Sequence, residues 1–395
     1  MKRATPALAA VLSQLDAAQL RRQRTTVESR ATPGSRVVRL AGGRELTDFS
    51  SNDYLGLAGH PALKAAMSEC AARAGAGSGA SHLVSGHGQE HAQLEEELAA
   101  FTGRERALLF STGYMANLAV MTVLAGGGER VLLDRLSHAS LIDGARLSGA
   151  AFRRYRHADA QAAADLAAAD PGHTCLIATD GVFSMDGDVA PLAQLAHTAR
   201  SHGAWLVVDD AHGLGVLGAT GRGALEVFGL DAEAVPVLVG TLGKAFGSFG
   251  AFVAGSASLI ELLIQKARTY IYTTALPQPV AAATRAALKV AQAEPWRRER
   301  VLALTARFRA AAAAAGVPLS ASTTPIQPIV LGDAAAALKA QHALDEAGLW
   351  VVAIRPPTVP QGAARLRVTL SAAHTEDQVD ELVRHLARAC AGAVP

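Results

Sequence analysis

From about Arg106 onward, short runs of aliphatic and β-branched residues alternate with longer stretches whose apolar positions recur at helical spacing. Residues 107–110, 130–134, 174–179, 205–209, 237–241 and 251–254 read as strands. Residues 113–124, 140–147 and 191–202 read as helices, with Pro191 suited to a first turn and Gly203 to a stop. Such alternation predicts an α/β fold with a mainly parallel sheet, covered by helices on both faces. Ligands of open sheets of this kind collect beyond the carboxyl ends of the strands. The polar residues that terminate the runs, Asp134, Thr179, Asp180, Asp209, Asp210 and Thr241, should therefore converge along one edge.

Between residues 277 and 295 the pattern changes. A long Ala/Arg helix is expected to run through Ala315, followed by a strand at 326–331 and a helix at 334–347. Strands around 351–354 and 365–370 and a closing helix at 375–389 complete a smaller C-terminal α+β domain. The expected organisation is an N-terminal helical arm (1–45), a large domain (46–285) and a small domain (286–395). The first fifteen residues are rich in alanine without a strongly apolar core, and read as a helical arm instead of a signal peptide. The uncharged stretch 107–128 is long enough to span a membrane. Ser111, Thr112, Gly113 and Asn117 break it into a strand, a turn and a buried helix, so no membrane span is expected.

Composition narrows the function. The chain has 395 residues, and its 37 Lys+Arg against 35 Asp+Glu leave a formal charge of +2, so no bulk positive field exists to hold nucleic acid or an anionic membrane. Cys70, Cys175 and Cys390 lie far apart, in no metal-ligand spacing and no disulfide framework, which suits a reducing compartment such as the cytoplasm.

Three glycine-rich segments imitate nucleotide motifs and fail on context. Leu242-Gly-Lys244 resembles the end of a P-loop, but Leu238 stands where the upstream glycine belongs and Ala245 where a metal-binding hydroxyl belongs. Gly213-Leu-Gly215-Val-Leu-Gly218 follows a strand but leads into no helix, and Gly75-Ala-Gly77-Ser-Gly79 follows a helix.

Lys244 and Asp209 carry the chemistry. Lys244 sits just past a strand end among small neighbours, where a planar group can approach the backbone; the plainer alternative is a solvated loop lysine. Asp209 closes the apolar strand Trp205-Leu-Val-Val-Asp209, and His212 follows three residues on. A carboxylate in such a low-dielectric position must meet a cation or be protonated. A protonated pyridine nitrogen is such a cation, and an aspartate is the usual partner that keeps it protonated in pyridoxal phosphate (PLP) enzymes. A metal at Asp209 and His212 would need further ligands at suitable spacing, and no metal is expected there.

The chain resembles the α-oxoamine synthase family of PLP enzymes. The matching segments include Ser50-Ser-Asn-Asp-Tyr-Leu-Gly-Leu57, Leu136-Ser-His-Ala-Ser140, Asp180-Gly-Val-Phe-Ser-Met-Asp-Gly-Asp188 and Val208-Asp-Asp-Ala-His-Gly213. Thr241-Leu-Gly-Lys-Ala245, Ala353-Ile-Arg-Pro-Pro-Thr-Val-Pro360 and Arg365-Leu-Arg-Val-Thr-Leu370 continue the series, and their order covers nearly the whole chain. The resemblance implies a fold-type I PLP-dependent transferase and a homodimer with shared active sites. The cofactor is pyridoxal 5'-phosphate. Lys244 would carry it as a Schiff base and, once displaced, remove the substrate's α-proton. Asp209 would keep the ring nitrogen protonated, His212 and Ser184 or a close neighbour would meet the phenolic oxygen, and His138 would stack on the ring and polarise a thioester carbonyl. The bland alternative for His138 is a capping or core histidine. Gly113, Tyr114, Thr241, Thr273 and Thr274 would hold the phosphate, the first two as the opening of a helix that favours an anion. Arg367 would take the amino-acid carboxylate, and Asn52, Thr358 and one N-terminal arginine, Arg21 or the adjacent Arg22, would touch substrate; an exposed strand arginine is the plainer reading of Arg367. His82 stands where many relatives carry arginine, which puts local substrate contacts in doubt. The implied reaction joins L-alanine to a pimeloyl thioester, on CoA or an acyl carrier protein, in biotin synthesis. Sibling activities on glycine or serine with other acyl thioesters, amino-group transfer on the same fold, and a non-catalytic PLP-binding regulator are the alternatives; no spare basic segment supports the last.

Overall fold

The computed structural model describes residues 8–30, 35–170 and 172–391; the first seven residues of the expected arm lie outside them. Contacts divide the chain into two compact units, one of residues 52–184 and 188–301, the other of residues 1–51, 185–187 and 302–395.

In the larger unit, seven strands form one sheet in the spatial order Arg106–Phe110, Ala251–Gly255, Val237–Thr241, Trp205–Asp209, Thr174–Asp180, Arg130–Asp134 and Ala151–Tyr155. Ala251–Gly255 runs antiparallel to both neighbours, and every other pairing is parallel. Alternate residues of each strand feed opposite faces. Val131, Leu133, Leu176, Ala178, Val207 and Val239 pack with Ala116, Val120 and Met121 of the helix Gly113–Leu124. Leu132, Ile177, Leu206, Val208 and Leu238 pack with Leu192, Leu195 and Ala199 of the helix Leu192–Ser201. Burial on both faces is why these strands read as continuous apolar runs. Pro191 caps the latter helix instead of entering its first turn, and Gly203 follows it with a left-handed φ of 64°. Gly144 lets the helix Ala139–Ser148 lie close against Gly113–Leu124, since a Cβ there would come 2.7 Å from the Met121 Cβ.

The parallel register places Asp180 opposite Asp209, and Asp209 opposite Val239, so the polar strand ends do line one edge. The expected single helix after residue 277 is two, Gln278–Ala293 and Trp296–Ala314. Pro295 lies at the break, where it lacks an amide and its ring would collide with the preceding turn.

The smaller unit contains two sheets. Val27–Arg30, Val37–Leu40, Glu45–Asp48 and Leu349–Trp350 form one; Ile326–Gly332, Ala364–Thr369 and Ala353–Ile354 form the other. Of the run expected as a strand at 351–354, only Ala353–Ile354 is strand; residues 351–352 connect it to Leu349–Trp350, which pairs in the other sheet. The described residues before 52 group with this unit, where Glu45–Asp48 pairs in parallel with Leu349–Trp350, instead of standing apart as an arm. Its closing helix, Glu376–Cys390, starts from a capping box in which Thr375 Oγ1 accepts from the Gln378 amide and the Gln378 side chain accepts in return. Among the described residues, no helix is long and apolar enough to cross a membrane.

Candidate active site

Two chains of polar side chains meet at the carboxyl edge of the seven-stranded sheet. The first begins at Lys244, whose Nζ lies 2.9 Å from His212 Nε2. His212 Nδ1 lies 2.6 Å from Tyr54 Oη, and that hydroxyl donates to Asn52 Oδ1 at 3.3 Å. With the lysine ammonium donating to Nε2, His212 carries its proton on Nδ1 and donates it to Tyr54.

The second chain begins at Asp209, 7% exposed at the end of its strand. Its Oδ1 accepts from the Ala211 amide at 3.1 Å and its Oδ2 from Asn117 Nδ2 at 2.6 Å. Asn117 Nδ2 also donates to Ser140 Oγ at 2.8 Å, which leaves the Ser140 hydroxyl proton to donate to His138 Nδ1 at 2.7 Å. The Ser140 amide also points at His138 Nδ1, at 3.3 Å. His138 therefore accepts at Nδ1 and keeps its proton on Nε2. Burial pushes the His138 pKa below the usual histidine range, and Lys244 adds to this while Asp209 opposes it. The residue as a whole is exposed.

Strand-end acids surround this pair of chains. Asp180 Oδ2 accepts from the His138 amide at 2.9 Å, and burial, aided by the charge of Asp209, raises its pKa well above the carboxylate norm. Asp210 is fully buried, which pushes it up to about 8; its Oδ2 accepts from the Ala224 amide at 2.7 Å. A Cβ on Gly181, Gly213 or Gly223 would run into this carboxyl group. His157 bridges Asp134 at 3.0 Å and Asp188 at 2.9 Å. Burial alone would lower its pKa, but the two carboxylates together raise it to about 10.

The remaining expected residues fall in several places. Gly113 and Tyr114 open the helix Gly113–Leu124, with Thr112 Oγ1 capping the Met115 amide at 3.2 Å. The Tyr114 side chain turns away and donates to the Asp143 carboxylate. Thr241 Oγ1 donates to the Gly250 carbonyl at 3.1 Å, and Thr273 Oγ1 folds back onto the Thr269 carbonyl at 2.7 Å. Thr274 is exposed and bridges Ser81, and Ser184 is half-buried.

Arg21, Thr358 and Arg367 belong to the smaller unit. Arg367 is buried, against the plainer expectation of an exposed strand residue, and its Nη1 donates to Thr369 Oγ1 at 3.0 Å. Arg21 pairs with Asp16 at 2.7 Å, whereas Arg22 donates to Thr358 Oγ1 at 3.0 Å. All three of Arg21, Arg22 and Thr358 line a cavity of about 570 Å³ together with Trp350 and Arg355.

Sequence reasoning missed Asn117 as the link between Asp209 and His138. The signal was an amide inside an otherwise apolar helix, since a buried polar group needs a partner.

A sheet of this topology, with a lysine and a buried aspartate at its carboxyl edge, defines a fold-type I PLP-dependent transferase. The family model for class I and II aminotransferases matches residues 44–386. The chain is 60% identical to the 8-amino-7-oxononanoate synthase of Thioalkalivibrio sulfidiphilus over 96% of each chain. Among solved structures it resembles a serine palmitoyltransferase from S. paucimobilis with a bound PLP–myriocin aldimine, at a TM-score of 0.92, 30% identity and coverage of 98% and 97%. The 8-amino-7-oxononanoate synthase of Francisella tularensis superposes at a TM-score of 0.77, with 35% identity over 87% of this chain and 97% of that one. The chain belongs to the α-oxoamine synthases, in the group formed by the 8-amino-7-oxononanoate synthases.

Proposed function

We propose that this chain condenses L-alanine with a pimeloyl thioester, releasing carbon dioxide and forming 8-amino-7-oxononanoate for biotin synthesis. Pyridoxal 5'-phosphate, when bound, supplies the electron sink that makes an amino acid's α-carbon nucleophilic. The donor set fits that group. Asp209 is a buried carboxylate whose hydrogen-bond partners, Asn117 and the Ala211 amide, are neutral, so it calls for a cation such as a protonated ring nitrogen. This observation carries the reading.

Lys244 would hold the cofactor covalently and move the α-proton, with His212 beside its amine to accept or return a proton. His138 presents Nε2–H, and a neutral imidazole in that tautomer can donate to a thioester carbonyl without first losing a proton. The opening amides of the helix at Gly113 and Tyr114 have no acceptor within their own helix and suit a phosphate. Thr241, Ser184, Thr273 and Thr274 as further cofactor contacts, and Asn52, Arg21, Thr358 and Arg367 as substrate contacts, rest on the family resemblance. So do a homodimeric state and a cytoplasmic location.

Two measurements test the reading. Borohydride reduction of the holoenzyme followed by peptide mapping should place the cofactor on Lys244. Alanine, glycine and serine should then be offered with pimeloyl, acetyl and palmitoyl thioesters while carbon dioxide release is followed. Turnover confined to glycine with acetyl-CoA would move the chain to a sibling activity, and amino-group exchange without gas release would make it an aminotransferase.

A further inference from the structure

Apart from the Lys244 site, the larger unit gathers three imidazoles at one point. His82, His87 and His91 each offer a nitrogen, and these nitrogens lie within 4.8 Å of one another. The backbone that achieves this is irregular. His82–Gly86 forms a π-helical turn ahead of the helix Gln89–Thr102, a kind of turn often found at functional sites. Gly86 is required there, because a Cβ would run into the Ala80 carbonyl. His87 and His91, four residues apart, therefore face the same side as His82 although they lie on different elements.

Packing and hydrogen bonds orient the rings. His82 and His91 are buried and His87 is exposed. His82 stacks on Tyr270 with centroids 5.2 Å apart and 9° between planes, which fixes its orientation. His91 donates Nε2–H to the Leu276 carbonyl, so its lone pair is on Nδ1, where it accepts from the Gly88 amide at 3.0 Å. A carbonyl on the far nitrogen is the usual way a metal-binding histidine is oriented. His82 Nδ1 and His87 Nδ1 are 3.0 Å apart.

We propose that His82, His87 and His91 form a binding site for a divalent transition-metal cation of the zinc type, with a fourth position left to water on the exposed side of His87. Tetrahedral ligation at Zn–N distances of about 2.0–2.1 Å needs nitrogens roughly 3.3 Å apart, so the His82–His87 pair opens slightly while nitrogens that now lie up to 4.8 Å apart close on the ion. The cation replaces their hydrogen bond and takes the His91 lone pair from the Gly88 amide. Glu90, the nearest acid in sequence, is held by Arg73 and Arg285 at 2.6 Å each and does not add a hard oxygen ligand. Three imidazoles without a carboxylate select zinc-type ions over Mg²⁺ or Ca²⁺. The site shares no residue with the Lys244 chains and stands whether or not the proposed reaction is right.

The test uses the full-length holoenzyme without an affinity tag. Zn²⁺ binding is measured by competition with a chromophoric chelator, and Co²⁺ is added as a spectroscopic probe. One equivalent of Zn²⁺ per chain is expected, with intense visible Co²⁺ absorption of a four-coordinate site and no displacement by Mg²⁺. His82→Ala and His87→Ala should each weaken Zn²⁺ binding about tenfold or more and remove the Co²⁺ band, while the cofactor's own absorption is unchanged. His87 is exposed, so its variant decides the matter should the His82 variant fail to fold. The proposal is overturned if the wild-type chain retains no Zn²⁺, or if affinity and spectrum survive in His87→Ala.

Discussion

Replacing Asn117 by alanine isolates one hydrogen bond whose effect can be worked out. Asn117 Nδ2 donates to Asp209 Oδ2 at 2.6 Å, inside the protein, and its other hydrogen goes to Ser140 Oγ. Turning the amide over would set its oxygen against a carboxylate, so the assignment of the nitrogen is fixed by charge. A hydrogen bond to a charged acceptor is worth about 1.5–3 kcal/mol. Removing it leaves Asp209 Oδ2 without its side-chain donor and no longer held in line for the ring nitrogen, so kcat/KM of the holoenzyme should fall about 10- to 150-fold. The variant also leaves a cavity, so lost thermal stability by itself is uninformative; the fall in kcat/KM of the folded, cofactor-loaded enzyme is the signature. Ser140→Ala serves as the control, because it leaves the bond to Asp209 in place and should cost no more than about 2- to 12-fold. Wild-type kcat/KM in Asn117→Ala, or an equal loss in Ser140→Ala, would refute the reasoning.

His157→Gln removes an imidazolium held between Asp134 and Asp188. Its pKa in the folded chain, about 10, exceeds the unfolded value near 6.5, so its contribution is complete below about pH 6.5 and disappears as pH rises towards 10. The shift sets an upper bound of about 5 kcal/mol, reduced by solvent screening; denaturation curves of variant and wild type should be far apart at pH 6 and converge above pH 10. Gly181→Ala forces a methyl group against the Asp210 carboxyl and should cost about 1–3 kcal/mol in urea unfolding, with most of that cost absent when Asp210→Ala is present as well. Equal unfolding midpoints for Gly181→Ala and wild type would contradict the packing. Tyr54→Phe deprives His212 Nδ1 of its phenol and should lower kcat/KM about 2- to 12-fold, as expected for about 0.5–1.5 kcal/mol; steady-state kinetics with unchanged kcat/KM would show that Tyr54 plays no part.

The sheet was legible because its strands are buried on both faces and therefore stand out as apolar runs with polar ends. Three predicted strands, at 130–134, 205–209 and 237–241, coincide with the observed ones. Shorter elements were not legible. Val27–Arg30 and Glu45–Asp48 carry charged residues, and Glu45–Asp48 is stabilised by pairing with Leu349–Trp350, some three hundred positions away. Edge strand Ala151–Tyr155 exposes Arg153 and Arg154 and shows no apolar run. In the site, Lys244, Asp209 and His212 declared themselves by position after strand ends. Asn117, Ser140 and Tyr54 act through distances that no spacing rule gives. The trio His82, His87 and His91 was hidden because its geometry depends on a π turn, which has no clear compositional signature.

The glycines around Asp210 bind four distant positions into a single evolutionary unit. A side chain at 181, 213 or 223 competes with the acid for their common space, and loss of the acid strands the Ala224 amide that it satisfies. Lineages descending from this chain should accordingly keep the quartet intact or exchange it wholesale, with few viable intermediates along the way.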